Sequence, residues 1–66
     1  MADYELYICA YKCGCKTLLT FSCSDDAEAV EKANAAIWAY EDEANDEIYR
    51  ERLYKRVAGE QIELSL

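Results

Sequence analysis

The sequence predicts an α+β fold, a small single domain spanning residues 1–66 in which one helix packs on one face of a four-stranded, mainly antiparallel sheet in the chain order ββαββ. Three observations predict it. Residues 4–23 hold two β-favouring runs divided by the turn signal Cys13-Gly14-Cys15. Residues 25–44 hold apolar side chains at helical spacing. Residues 48–66 return to short strand-like runs on either side of the AGEQ turn signal, Ala58–Gln61.

In the first hairpin, residues 4–23, YELYICAY alternates imperfectly and KTLLTFSC is rich in Thr, Leu and Phe. A two-residue Cys13-Gly14 turn sets Ile8 opposite Leu19, Leu6 opposite Phe21 and Tyr4 opposite Cys23; a Gly14-Cys15 turn shifts the pairing and keeps the faces. Ser24, followed by Asp25, Asp26 and Glu28, reads as an N-cap with acid in the first turn, where carboxylates meet the positive end of the helix. The helix then spans 25–44. Val30, Ala33, Ile37, Tyr40 and Ala44 recur on one side, and seven alanines between 27 and 44 favour helix and allow close approach to a sheet. Asn45 tolerates the left-handed conformation that ends a helix.

From Ile48 the run IYRERLYKRV permits helix or strand, and the AGEQ turn with IELSL after it decides for a second hairpin, residues 48–66. Centred on Gly59-Glu60, it sets Val57 against Ile62, Leu53 against Leu66 and Arg56 against Glu63. The predicted core is Leu6, Ile8, Leu19, Phe21, Val30, Ile37, Leu53, Val57, Ile62 and Leu64, with Cys23 as a small core residue.

A chain of 66 residues is one small domain, which buries only about 60% of its unfolded surface and has no room for a separate substrate domain. It has no His, hence no imidazole base and no Ser-His or Cys-His dyad, and a non-catalytic role is expected. The longest apolar run, Ala35–Tyr40, is far short of a membrane span, and Met1–Glu5 carry acid where an export signal carries Lys or Arg. The expectation is a cytoplasmic protein with reduced thiols, no cofactor and no membrane partner.

Charge is unevenly placed. Fourteen Asp plus Glu against seven Lys plus Arg give a net charge of −7, and residues 24–47 alone carry nine acids and one base. Carboxylates at Glu41, Asp42 and Glu43, with Asp46 and Glu47 beyond, oppose the helix dipole. They read either as a solubilising face or as an acidic surface that can dock on a basic groove. With Ile37 inward, Glu28, Glu31 and Asp42 project outward around Ala35 and Ala39, and Trp38 at their edge is either folded against the sheet or an anchor for a partner. These residues form the first candidate binding surface.

The second candidate is the sheet face away from the helix. Strand parity places Glu5, Tyr7, Cys9, Tyr11, Leu18 and Thr20 there, with Arg50, Arg52, Tyr54 and Arg56 from the second hairpin. Tyr and Arg suit protein interfaces and also single-stranded nucleic acid, against which the overall acidity argues. The cysteines at 9, 13, 15 and 23 lack the paired C-x2-C turns of a zinc site, and parity sends Cys9 outward and Cys23 inward. No metal ligands are assigned.

In size, charge and compactness the chain is similar to the small acidic proteins with which phages and mobile elements block host nucleases, among them anti-CRISPR and DNA-mimic proteins. The similarity has no residue-level match and transfers no site. The function expected is an acidic protein-binding module, an inhibitor that occludes the basic groove of a larger nucleic-acid-handling protein such as a nuclease complex. The alternatives are a zinc or redox module using the hairpin cysteines, or a single-stranded nucleic-acid binder through the Tyr/Arg face; a homodimer is compatible with all three.

Overall fold

The computed structural model describes residues Met1–Leu66. Strands β1 (Ala2–Ala10) and β2 (Gly14–Cys23), helix α1 (Asp26–Ala44), and strands β3 (Ile48–Val57) and β4 (Glu60–Leu64) follow the predicted ββαββ order. They make one sheet in the order β2-β1-β3-β4, antiparallel throughout. The helix carries the chain from edge strand β2 over β1 to β3, so the two hairpins meet along β1 and β3.

Alternation along β1 divides the molecule into two faces. Tyr4, Leu6, Ile8 and Ala10 are buried beneath the helix, and Leu53 of β3, directly opposite Leu6, is fully enclosed with them. The helix contributes Ala29, Ala33 and Ile37, which keeps Ala33 and Ile37 of the predicted stripe and adds Ala29; Val30 and Tyr40 flank it half-buried, and Ala44 is exposed. Two alanines at the contact let the helix backbone approach the sheet closely.

The helix starts one residue later than the sequence suggests. Asp25, in extended conformation, is the N-cap: its carboxylate accepts the Glu28 N–H at 2.8 Å, while the Ser24 hydroxyl donates to the Glu28 carboxylate at 3.1 Å. Asn45 ends it in the left-handed region at φ 50°.

Both hairpins change register, and they keep the predicted faces except at Leu18. In the first, the loop is Tyr11–Cys13 and Gly14, at φ 76°, is the residue that re-enters the ladder opposite Ala10. Three-residue loops place a left-handed residue at this point, which favours Gly. Leu6 therefore faces Leu19, Tyr4 faces Phe21 and Ala2 faces Cys23, with a bulge that leaves Leu18 unpaired. The bulge turns Leu18 from its expected outer position to pack against the core. In the second hairpin the turn is Ala58-Gly59, both at positive φ, instead of Gly59-Glu60. Leu53 thus meets Leu64 in place of Leu66, Val57 meets Glu60, and Arg56 meets Gln61. The expected Arg56–Glu63 pair is replaced by Arg52–Glu63 at 3.7 Å and Arg56–Glu5 at 3.6 Å.

Three predicted core residues lie outside it: Leu19 is 37% exposed, Val57 42% and Ile62 44%. They occupy the edge strand β2 and the β3–β4 hairpin, beyond the width of the helix. Ile37→Ala and Leu53→Ala should each cost about 2–5 kcal/mol in urea unfolding followed by circular dichroism. Ile62→Ala should cost less than about 1 kcal/mol. A loss at Ile62 equal to that at Leu53 would mean that the helix covers β4. Ala58→Asn should stabilise by about 0.5 kcal/mol, because Asn tolerates the left-handed turn position better than Ala.

Candidate interaction surfaces

Two aspartates clamp the helix to the sheet, and they settle which acids are free. At the helix start, Tyr4 Oη donates to Asp26 Oδ1 at 2.7 Å and Lys55 Nζ lies 3.0 Å from the same oxygen. The hydrogen bond from Tyr4, then Lys55, holds the Asp26 carboxyl below its ordinary value, and the same bond pushes the Tyr4 hydroxyl up to about 12.

Past the helix end, Asp46 is buried and accepts the Lys12 N–H at 2.9 Å, the Cys13 N–H at 3.2 Å and the Tyr40 hydroxyl at 3.0 Å. Burial opposes its ionisation; the donated hydrogen bonds, led by that from Lys12, outweigh it and keep the carboxyl below its ordinary value. The Tyr40 hydroxyl is raised by its contact with the Cys13 thiol, by burial and by Asp46. Lys12 Nζ also donates to the Asn45 carbonyl at 2.7 Å. The first hairpin thus supplies the cation that the last turn of the helix lacks.

The expected acidic binding surface is correspondingly reduced. Asp46 is an internal ligand of the β1–β2 loop, and half-buried Glu41 accepts the Ile48 N–H at 3.2 Å. Both leave the exposed set, because a carboxylate that caps buried backbone donors is unavailable to a partner. Glu28 is exposed and engaged with Ser24 and, at 3.9 Å, with Lys32. Glu31, Asp42, Glu43 and Glu47 are exposed, and their carboxylates make neither a hydrogen bond nor an ion pair.

Trp38 is 76% exposed and does not fold back on the sheet. It lies on the helix side away from Ile37, with exposed Ala35 and Ala39 beside it and Glu31 and Asp42 about two turns and one turn away along its own stripe. An indole surrounded by methyl groups and free carboxylates can insert into an apolar notch while the acids meet surrounding cations.

On the opposite face the structure gathers Tyr7, Tyr54, Arg50, Arg52 and Arg56 as parity predicts. Tyr11 instead lies in the loop, its ring 4.8 Å from that of Tyr49. Glu63 and Glu5 lie beside Arg52 and Arg56, which leaves Arg50 as the arginine of this face without an ion pair. A face whose cations are largely matched attracts a polyanion weakly.

The expectation of four reduced thiols does not hold. Cys9 and Cys15 are directly opposite in the β1–β2 ladder and form a disulfide; Cys13 is free and exposed in the loop, and Cys23 is free and buried as expected. The register change is the cause, since a three-residue loop makes Cys9 and Cys15 cross-strand partners on the outer face. The four sulfurs are not brought together as a zinc site requires, because Cys23 lies at the other end of β2 opposite Ala2. Neither this bridge nor the internal role of Asp46 has a separate mark in the sequence: one follows from the loop length and the other stands within an unbroken acidic run.

No protein-family model, curated protein or solved structure matches the chain.

The clamps predict a pH profile. Asp26 and Asp46 have folded values below the ordinary 3.8, so their contribution is complete above about pH 4 and is lost as pH falls through the folded values. Tyr4, raised from 10.0 to about 12, contributes fully below about pH 10 and is lost as pH rises through its folded value. Urea midpoints measured against pH should therefore fall at both ends. Asp46→Asn and Asp26→Asn should each lower the neutral plateau and flatten the acid limb; an acid limb of wild-type steepness in the double variant would remove the clamps from the account.

Proposed function

We propose that this protein is a non-catalytic acidic binding module that docks the outer face of α1 on a larger basic protein and occludes its groove. The partner class is a nucleic-acid-handling protein, such as a nuclease complex, and the role is that of an inhibitor in the manner of the anti-CRISPR and DNA-mimic proteins of phages and mobile elements. The observation that carries this reading is Trp38, exposed at the centre of the helix face with unpaired acids around it. Single exposed apolar residues are ordinary, but a large aromatic in solvent gains free energy when a partner covers it. The nearby carboxylates define which partner, because their field draws a cationic surface and repels nucleic acid. Such partners place the module in the cytoplasm.

The reading separates steering from anchoring. With the partner captured from the native host and identified, Gln or Asn at Glu31, Asp42, Glu43 and Glu47 should mainly lower the on-rate and weaken its salt dependence. Trp38→Ala should mainly raise the off-rate. Glu41 and Asp46 are left intact because they hold the fold. If both variants bind like wild type and substitutions at Tyr7, Arg52 or Tyr54 abolish binding, the functional surface is the sheet face. Salt-sensitive binding of a single-stranded oligonucleotide by the isolated protein would replace the protein partner by nucleic acid.

A further inference from the structure

We propose that the Cys9–Cys15 bridge, with Arg50 beside it, is a thiol–disulfide exchange site that takes a small external thiol such as glutathione. Three observations on the outer sheet face support it. The two cysteines differ in exposure: Cys15 is exposed, its sulfur 4.0 Å from the Tyr49 hydroxyl, whereas Cys9 is 3% exposed on the central strand. An incoming thiolate is thereby directed to Cys15, and Cys9 is the leaving group.

Cys9 has Cys15 as its partner on one side and Arg50 on the other. Adjacent strands lie about 4.8 Å apart, so the Arg50 side chain leaves the sheet beside Cys9 and on the same face. Arg50 makes no ion pair, unlike Arg52 and Arg56 on the same face. An unneutralised cation at that position offsets the cost of forming a thiolate in a buried place, and a better-stabilised leaving thiolate departs faster.

The bridge, finally, is not what holds the hairpin. It joins residues six apart, a short loop that the strand ladder already closes, and short closures constrain the unfolded chain least. Opening it leaves both backbone ladders of β1 in place. Cys13 is free and exposed two residues from Cys15, and the test removes it so that only the external thiol can attack.

The exchange balances with a thiol as the only co-reactant. A thiolate RS⁻ attacks Cys15 Sγ, the Cys9–Cys15 bond breaks, an RS–Cys15 mixed disulfide forms, and Cys9 leaves as the thiolate and is protonated by water. A second RS⁻ attacks the R sulfur of the mixed disulfide, releasing RSSR and the Cys15 thiolate. Two electrons pass from two thiols to the bridge.

The test uses the Cys13→Ser protein, so that the tryptic fragment from residue 13 to Lys16 carries Cys15 as its one cysteine and Cys9 lies in the fragment ending at Lys12. The folded, air-oxidised protein is incubated with millimolar glutathione, quenched by alkylation and mapped by mass spectrometry. Glutathione on Cys15, alkylated Cys9 and an unchanged far-ultraviolet circular dichroism spectrum are expected. Arg50→Gln should slow the exchange about threefold while Arg50→Lys retains it, the effect expected if the charge stabilises the leaving thiolate. Glutathione on Cys9, free thiols in the air-oxidised protein, or a bridge that opens only in denaturant would overturn the site. An equal rate in Arg50→Gln would remove Arg50 from it.

Discussion

One helix has to cover four strands, and it cannot. The outer strand axes of a four-stranded sheet lie about 14 Å apart, while a helix with its side chains is about 10–12 Å across. Alanines 29 and 33 at the contact reach less far across the sheet than larger side chains would. Burial is therefore complete over β1 and part of β3, and incomplete at both margins, where Leu19, Val57, Ile62 and Leu66 remain substantially exposed. Only 12 of 66 residues are buried, so the apolar layer is thin and the polar attachments at the two ends of the helix matter more than in a larger domain. Asp26 with Tyr4 and Lys55 fastens one end; Asp46 with Tyr40 and the β1–β2 loop fastens the other.

The same attachments divide the acidic residues into two populations. Asp25, Asp26, Glu28, Glu41 and Asp46 accept hydrogen bonds that cap the helix, join it to β1 or order the chain entering β3. Glu31, Asp42, Glu43 and Glu47 remain as free charge on the helix and its exit. A count of nine acids in residues 24–47 overstates the field available to a partner, and it obscures how the helix tolerates carboxylates at its negative end. Lys12, reaching from the first hairpin to the Asn45 carbonyl, accounts for part of that tolerance. Structural and steering acids thus stand side by side in sequence, and only burial and hydrogen bonding tell Asp46 from Glu47.

Faces were legible in the sequence because they depend on parity, with Leu18, which the bulge turns inward, as the exception. Tyr4, Leu6 and Ile8 fall inward, and Tyr7, Arg52 and Tyr54 outward, whatever the turn. Register depends on which residue takes the left-handed conformation. Gly14 occupies the position after a three-residue loop, and Ala58, which ordinarily avoids positive φ, shares the second turn with Gly59. An alanine in that role carries no turn signal, so the hairpin reads one residue late. The disulfide followed from register and was missed with it. Trp38 was legible as a choice between two positions, and the narrowness of the helix contact decides it in favour of solvent.

That exposed indole has a spectroscopic consequence. Trp38 is the chain's one tryptophan, and in the folded protein it is 76% exposed, so its emission already resembles that of a hydrated indole. Unfolding changes its surroundings little, and tryptophan fluorescence is nearly blind to the folding of this molecule. Covering the helix face takes the same ring out of water and moves its emission to the blue. Each copy of the protein therefore carries one intrinsic fluorophore that is silent to its own denaturation and responsive to whatever settles on α1.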